Sequence, residues 1–538
     1  MDALIRAKRI SAGVGALFSL AFFVALSGAA RCHNFRDIFM NGRIYFVDAD
    51  CYSRMTRVRT VTAHPLTVIR HHDFENFPQG TVPHTTMPMD WVVAIADCGL
   101  RIAERLVPEP LRAQHLDLAG ALVSPLLGVF TTAFLWFWSR RIRVPYAGAM
   151  LMIASVSPIL VQGTLLGRPD HQSLLIFLLA VATGAEVVLA RETSRGWGIA
   201  SGAAWGLALW VSLYEPLILL ATVCVTQLVF FRAKFLARGR WPGFAVFGAI
   251  LVVAFAVEGW RVQMPDATMR EFFPKWTKTI GELQPVPIFS TTLFRWCGFV
   301  LVAAPVLLAL RVRIEREVIL LLALLAVAFG FTLNQLRWGY FFALVFAMSL
   351  PFALAAVRKK WIAWTLFAVS LWPVAGEWEA MLFPNETRAA QLAERRAESV
   401  QLRDAADRLA HVPRGGVLAP WWFSPAIAYW SGQPCVAGSS HESLAGIVDS
   451  ARFYLTDGGD AEDRGRALEL LNRRQVRWVV SYDWTRVSEQ SEKLLPMMLP
   501  RIPIARWLDE RPHSAPPFLK PIYANGAFKI FEVESNVE

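Results

Sequence analysis

A chain of 538 residues that is 55% hydrophobic, with 21 Trp and 36 Phe and a mean hydropathy of +0.38, is too apolar for a soluble globule and too long for one domain. Its net charge of +11 is carried largely by basic residues in short loops, which is an orientation signal for a membrane protein and gives no reason to invoke nucleic acid.

Apolar runs of about 17 to 22 residues, each long enough to cross a hydrocarbon core of about 30 Å, recur from residue 11 to residue 376 and then stop. About eleven spans are predicted, at 11–30, 118–138, 145–165, 173–190, 197–213, 215–231, 243–259, 293–310, 317–334, 339–357 and 361–376. The first, in "RAKRISAGVGALFSLAFFVALSGAARC", shares a basic start and small residues near Ala29 with signal peptides, but its apolar stretch is long for one. Lys and Arg fall at every alternate loop: Arg6, Lys8 and Arg9; Arg140, Arg141 and Arg143; Arg191 and Arg195; Arg232, Lys234, Arg238 and Arg240; Arg311, Arg313 and Arg316; Arg358, Lys359 and Lys360. Because such residues mark the cytoplasmic side, the N-terminus is expected inside. The loops 31–117, 166–172 and 260–292, and everything after residue 376, are expected outside. A membrane domain over 1–376 is thus followed by a soluble outer domain over 377–538. Cys32, Cys51, Cys98 and Cys435 fall outside, where a disulfide is allowed, but no spacing resembles a disulfide framework or a zinc site.

The first loop is long for a connector and holds "VDADCYSRMTRVR" and "FPQGTVPHTTMPMDW". Its far end, "WVVAIADCGLRIAERLVP", has apolar residues at helical spacing with Asp97, Arg101, Glu104 and Arg105 on the other face, the pattern of a helix lying in the membrane interface. The second outer loop is "GRPDHQS" and the third contains "TIGELQP". Asp48, Asp50, Asp170 and Glu282 each border an apolar run, and carboxylates converging from separate loops are how a protein holds a hard divalent cation. A solvated role is the usual one for any single loop carboxylate. Arg337, in "RWGYFF", lies in or beside a spanning helix, where a guanidinium is costly and points to an anionic partner unless it snorkels to the interface. In the tail, "NETRAAQLAERRAESVQLRDAADRLAHV" is predicted as a charged helix. "GGVLAPWW" before "SPAIAYWSG" reads as strand, turn and helix, and "DAEDRGRALELLNRRQ" leads into the strand-like "VRWVVSYDW", so an α/β domain is expected.

In this order the motifs resemble those of the catalytic subunit of oligosaccharyltransferase and its bacterial and archaeal single-subunit relatives, within the polyprenol-dependent membrane glycosyltransferases of the GT-C class. The resemblance runs over most of the chain and rests on "DCYSR", "FPQG…H…P", "GRPDHQS", "TIGELQP", "RWGYFF" and "PWWFSPAIAYWSGQP". It implies a GT-C-like helical membrane domain in a bacterial inner membrane, with a periplasmic α/β domain. It further implies a divalent metal, Mg or Mn, held by Asp50, Asp170, Glu282 and His171, with Asp50 and Glu282 acting in catalysis and Asp48 a nearby second candidate. Arg337 matches the arginine that holds the donor's phosphate; Trp421, Trp422 and His84 are implied on the acceptor side. Two positions depart from the family pattern. Gln172 stands where a second carboxylate is usual, and Phe423 stands where a Trp-Trp-Asp motif has its aspartate.

The implied reaction moves a sugar or oligosaccharide from a polyprenyl-linked donor to a protein or glycolipid acceptor, with membrane lipid around it. Charge that grows on the leaving phosphate would be met by Arg337 and a metal, and Asp50 and Glu282 would orient the acceptor and take its proton. A phenyl ring at Phe423 cannot accept a hydrogen bond from Ser or Thr, so an acceptor other than a standard Asn-x-Ser/Thr sequon is expected. Lipid A or cell-wall sugar transferases share the first-loop aspartates. A transporter would instead carry its charges at mid-membrane, where this chain has few apart from Glu186, Glu215 and Glu258.

Overall fold

The computed structural model describes residues 2–65, 67–261, 264–496 and 500–534, and the chain divides into two compact units. The first comprises Met1–Phe35, Ala121–Val257 and Glu282–Asn385; the second comprises Arg36–Gly120, Glu258–Gly281 and Glu386–Glu538.

The chain is mostly helical, and the predicted apolar runs are all found as helix or broken helix. Among the described residues, five helices are long and apolar enough to cross a membrane, Val14–Arg31, Glu109–Arg141, His171–Arg191, Arg238–Glu258 and Leu336–Ala355, and shorter apolar helices include Tyr214–Phe230, Val300–Val312 and Val318–Thr332. The chain is a multi-pass membrane protein. Run 145–165 is interrupted where Ala147–Val156 ends at Ser157 and Pro158, lacking a backbone donor, begins a new helix, Pro158–Gln162. Run 293–310 is divided at Gly298, whose φ of +78° and approach to Ser370 O, 2.5 Å from where a Cβ would stand, exclude any side chain.

Large apolar side chains such as Phe18, Val252 and Val302 are about three-quarters exposed, as lipid-facing positions are. Polar groups within the first unit are matched instead. Arg31 is buried and donates to Ser27 Oγ at 2.7 Å, Thr164 Oγ1 at 2.8 Å and the carbonyls of Ala154 and Ser155. Glu186 accepts from Arg240 at 2.5 Å and from Gln227 at 2.9 Å. Unpaired, such groups would cost several kcal/mol each in a lipid-exposed helix. Helices Arg195–Val211 and Trp241–Glu258 touch backbone to backbone: a Cβ on Gly202 would lie 2.0 Å from Gly243 O, the small-residue contact typical of membrane helices.

The second unit holds a mixed four-stranded sheet. Its strands are β1 (Gly416–Leu418), β2 (Val476–Ser481), β3 (Leu519–Ala524) and β4 (Lys529–Val533), in the order β1-β2-β4-β3. β1 runs parallel to β2, and the other pairs are antiparallel. The predicted tail elements are present: the charged helix Glu386–Ala410, helix Ser424–Ser431 after β1, and helix Ala461–Arg473 leading into β2. Segments far upstream join this unit. Phe272 and Trp276 of helix Ala267–Trp276 are buried in a core with Leu444, Ile447, Val448 and Ala451. The backbone at Phe74 and Phe77 pairs with Cys435 at 3.0 and 3.1 Å. Arg474 donates to Asn76 Oδ1 at 3.1 Å while its Nε holds Asp449 at 2.9 Å. Helix Met87–Ile102 forms as expected, but Asp97, expected on its polar outer face, is buried and ion-paired with Arg101 at 2.9 Å. One turn on, the i,i+4 partner Arg101 meets Oδ2, while Oδ1 has no hydrogen-bond partner among the described residues. None of the six cysteines forms a disulfide.

Candidate functional site

In the first unit, "GRPDHQS" makes the turn into helix His171–Arg191. Gly167 adopts a φ of +75°, and Asp170 occupies the N-cap position without a side-chain hydrogen bond to cap the helix. The positive end of the helix still favours its charge. Asp170 Oδ1 meets His171 Nδ1 at 2.6 Å, and Asp170 Oδ2 lies 3.8 Å from Arg168 Nη2. The same guanidinium is ion-paired with Glu282 Oε1, which also accepts from Tyr340 OH at 3.1 Å. Two carboxylates from separate loops thus converge on one positive group. Gln172, at the position of the missing second carboxylate, is buried. Its Oε1 has no hydrogen-bond donor among the described residues, and its Nε2 stands 3.5 Å from His171 Nε2.

Arg337 lies in the same unit, in the turn Leu336–Trp338 that opens helix Gly339–Ala355. Its Nη2 is 2.6 Å from Glu215 Oε1, and the Glu215 side chain is fully buried. Ser212 Oγ donates to the other oxygen of Glu215 at 2.9 Å. Arg337 Nε is buried with no acceptor among the described residues. A guanidinium held from one side, with a donor left over, is suited to gripping an anion on the other.

In the second unit, Asp48 caps helix Ala49–Ala63 by accepting from Cys51 N at 3.0 Å, and Asp50 lies in that helix's first turn. Arg54 and Arg57 of the same helix both close on Asp90, which is fully buried, at 2.7 Å. His84 bonds Glu442 Oε1 through both its backbone N–H and its ring Nδ1. His441 Nδ1 stands 3.6 Å from Glu442 Oε2. Burial alone would raise the Glu442 carboxyl; the adjacent His84, by charge and hydrogen bond, and then His441 hold it well below the usual carboxylate range. Glu75 behaves oppositely. Burial, reinforced by the nearby Glu442 charge and only partly offset by a hydrogen bond from Ser53, pushes it up to about 7.

Trp421 is partly buried against the Phe272–Ile447 core, its ring 5.6 Å from that of Trp422, and its Nε1 has no acceptor among the described residues. Phe423 packs edge-on against Tyr482 at 4.9 Å and Phe528 at 5.2 Å. Its ring therefore serves the aromatic packing of the tail.

The expected metal ligands divide between the units: Asp170, His171 and Glu282 belong to the first and Asp50 to the second. Asp170, His171 and Glu282 are brought together through Arg168, while Arg337 is held by Glu215. His84, expected on the acceptor side, is gathered with His441 and Glu442. The sequence alone assigned no role to Arg168, Tyr340 or Glu215. The first two sit inside motifs already recognised, beside the residues singled out, and Glu215 is an acid at the start of an apolar run, a signal in itself.

Solved structures share this fold. The Archaeoglobus fulgidus oligosaccharyltransferase, tethered to an acceptor peptide containing the NVT sequon, aligns with a TM-score of 0.64 at 17% identity over 89% of this chain and 71% of that chain. The same protein in complex with Zn and sulfate gives 0.57 at 15% identity over 88% and 70%. ArnT from Cupriavidus metallidurans, bound to undecaprenyl phosphate, gives 0.54 at 11% identity over 96% and 97%. No family model and no curated protein sequence matches the chain. The resemblance that the motifs carry is thus borne out as a likeness of fold.

Proposed function

We propose that the protein is a membrane glycosyltransferase that moves a sugar or oligosaccharide from a polyprenyl-(di)phosphate donor to an acceptor at the outer membrane face, in the manner of oligosaccharyltransferase. The observation that carries this reading is Arg337: a guanidinium held against buried Glu215 with Nε unpaired among the described residues, in a fold shared with a structure holding undecaprenyl phosphate. About eleven crossings, a cytoplasmic N-terminus and a periplasmic tail belong to the same proposal, and they rest on the alternation of basic loops.

Arg337 grips the donor phosphate and stabilises the charge that grows there as the glycosidic bond breaks, in surroundings from which water is partly removed. Glu215 keeps the guanidinium in register for that contact. The group around Arg168 fits a divalent cation in its donor chemistry, since oxygens of Asp170 and Glu282 already face a single positive group, the guanidinium. Asp170 and Glu282, with His171, would hold Mg or Mn, which would supply Lewis-acid stabilisation of the leaving phosphate. Support for a divalent ion in this fold comes from the archaeal structure containing zinc. Tyr340 orients Glu282 through its hydroxyl. Asp50 enters the proposal on its motif alone, as a carboxylate the acceptor step needs. Trp421, Trp422 and His84 enter likewise as acceptor contacts.

A second reading, transfer to a glycolipid or cell-wall acceptor, is favoured by the nearly complete mutual coverage with ArnT, 96% and 97%, and by Phe423, which offers no hydrogen-bond acceptor to a sequon hydroxyl. The deciding experiment mixes purified protein, a divalent cation and a labelled lipid-linked sugar extract with cell envelope, then asks whether label moves to protein or to lipid. No transfer to either would overturn the glycosyltransferase reading.

A further inference from the structure

The second unit contains a set of ligand-type side chains that the proposed reaction does not use as a metal site. One ligand atom each from His84, His441 and Glu442 lies within 4.8 Å of the others. Glu442 is central: His84 Nδ1 approaches its Oε1, and His441 Nδ1 stands 3.6 Å from its Oε2. The imidazole rings are 4.7 Å apart and inclined at 41°.

The second observation is the state of Glu442 itself. Its side chain is only 6% exposed, yet Oε2 makes no hydrogen bond among the described residues. A buried carboxylate oxygen without a donor is costly, and a cation is one of the few groups that settles it. Arg57 of the first-loop helix is committed to Asp90 through both Nη2 and Nε.

We propose that His84, His441 and Glu442 bind a zinc ion that pins the 74–84 segment to the 441–443 turn. Two imidazoles and one carboxylate suit zinc, which takes nitrogen and oxygen ligands tetrahedrally at about 2.0–2.2 Å; Mg and Mn favour sets in which oxygen ligands predominate. The His84 side chain is 48% exposed, so water would be able to complete the shell. Coordination needs only small side-chain shifts from the present spacing. The consequence is mechanical: the backbone of this segment already pairs with the tail at Phe74, Phe77 and Cys435, and the ion would fasten its far end at His84.

The inference is independent of the Asp170–Glu282 group, and the test separates them. Full-length protein in detergent, grown with zinc and desalted, is assayed for metal by elemental analysis. About one zinc per chain is expected, retained in Asp170→Asn and Glu282→Gln and lost in His441→Ala and Glu442→Gln. Because a variant can fail through misfolding, wild-type protein is also melted after chelation and again after adding Zn or Mg. Zinc should restore a lowered Tm and magnesium should not. Protease cutting between residues 74 and 84 should rise on chelation and fall again with zinc. A wild-type protein that retains no zinc, or zinc content and melting that ignore both the His441 and the Glu442 substitution, would overturn the proposal.

Discussion

Arg337 and Glu215 form an ion pair of 2.6 Å in which the carboxylate is wholly buried. Such a pair is asymmetric in its energetics: the charges together are tolerated, but either alone is not. Arg337→Gln should therefore destabilise the protein by about 3–5 kcal/mol, and the double variant Arg337→Gln/Glu215→Gln should recover much of that loss without recovering activity. Arg337→Lys keeps the charge but loses the planar fork, and should cut transfer about a hundredfold. Thermal unfolding and transfer rates on the same preparations check both; Lys and Gln variants that both transfer normally would make the residue an interfacial anchor.

Asp170, Glu282 and Asp50 should each be needed for transfer. Asn or Gln replacements keep shape and remove charge, and loss of a metal ligand or acceptor carboxylate is expected to slow the reaction on the order of a thousandfold. Arg168→Ala should expose the two carboxylates to one another and sharpen the dependence on added Mg or Mn. Activity indifferent to a strong chelator would remove the catalytic metal from the reading.

Glu75 gives stability a pH dependence of known sign. Its folded pKa, about 7, lies above the ordinary carboxyl value of 4.5, so between these values the native state holds a proton that the unfolded chain has released. Stability falls as pH rises from 4.5 to 7 and is flat above, a loss on the order of 3 kcal/mol at 1.36 kcal/mol per pH unit. The groups acting on it are Ser53, Glu442, Arg57 and the Ser439 backbone. Glu75→Gln should flatten the melting midpoint between pH 5 and pH 8, relative to wild type. An unchanged slope would show that Glu75 is ionised throughout.

Gly202 and Gly243 set the approach of two helices. Gly202→Leu places a side chain against Gly243 O, only 2.0 Å from the Cβ position, and overpacking of this kind costs about 1–3 kcal/mol or more. Gly196→Ala, where a Cβ meets nothing within 4 Å, is the matched control and should melt like wild type.

Phe423 bears on the acceptor. With lipid-linked donor, a peptide panel should show no preference for Asn-x-Thr over Asn-x-Ala, because packing against Tyr482 and Phe528 leaves the phenyl ring with nothing to offer a hydroxyl. Strong Thr-dependent glycosylation of asparagine would return the protein to sequon reading, with Ser424 or His441 as the contact to test next.

Hydropathy and charge were enough to specify that this chain lives in a membrane, because both act locally: an apolar run of sufficient length partitions by its own transfer energy, and a short basic loop stays behind. The elements of the tail were legible for the same reason, through periodicity within each segment. What the tertiary structure alone decided are pairings between distant residues. Arg168 finds Glu282 across 114 positions, Arg337 finds Glu215, and Glu442 finds His84 across 358. No periodicity encodes such partners, since a buried charge requires only that some opposite charge arrive, and which one arrives is settled by how the helices and loops pack. The same holds for the segment 36–120, contiguous in sequence with membrane helices yet part of one compact unit with the tail. Its attachment is made by Arg474, Cys435 and Glu442, residues hundreds of positions away whose local sequence reads as ordinary loop and turn.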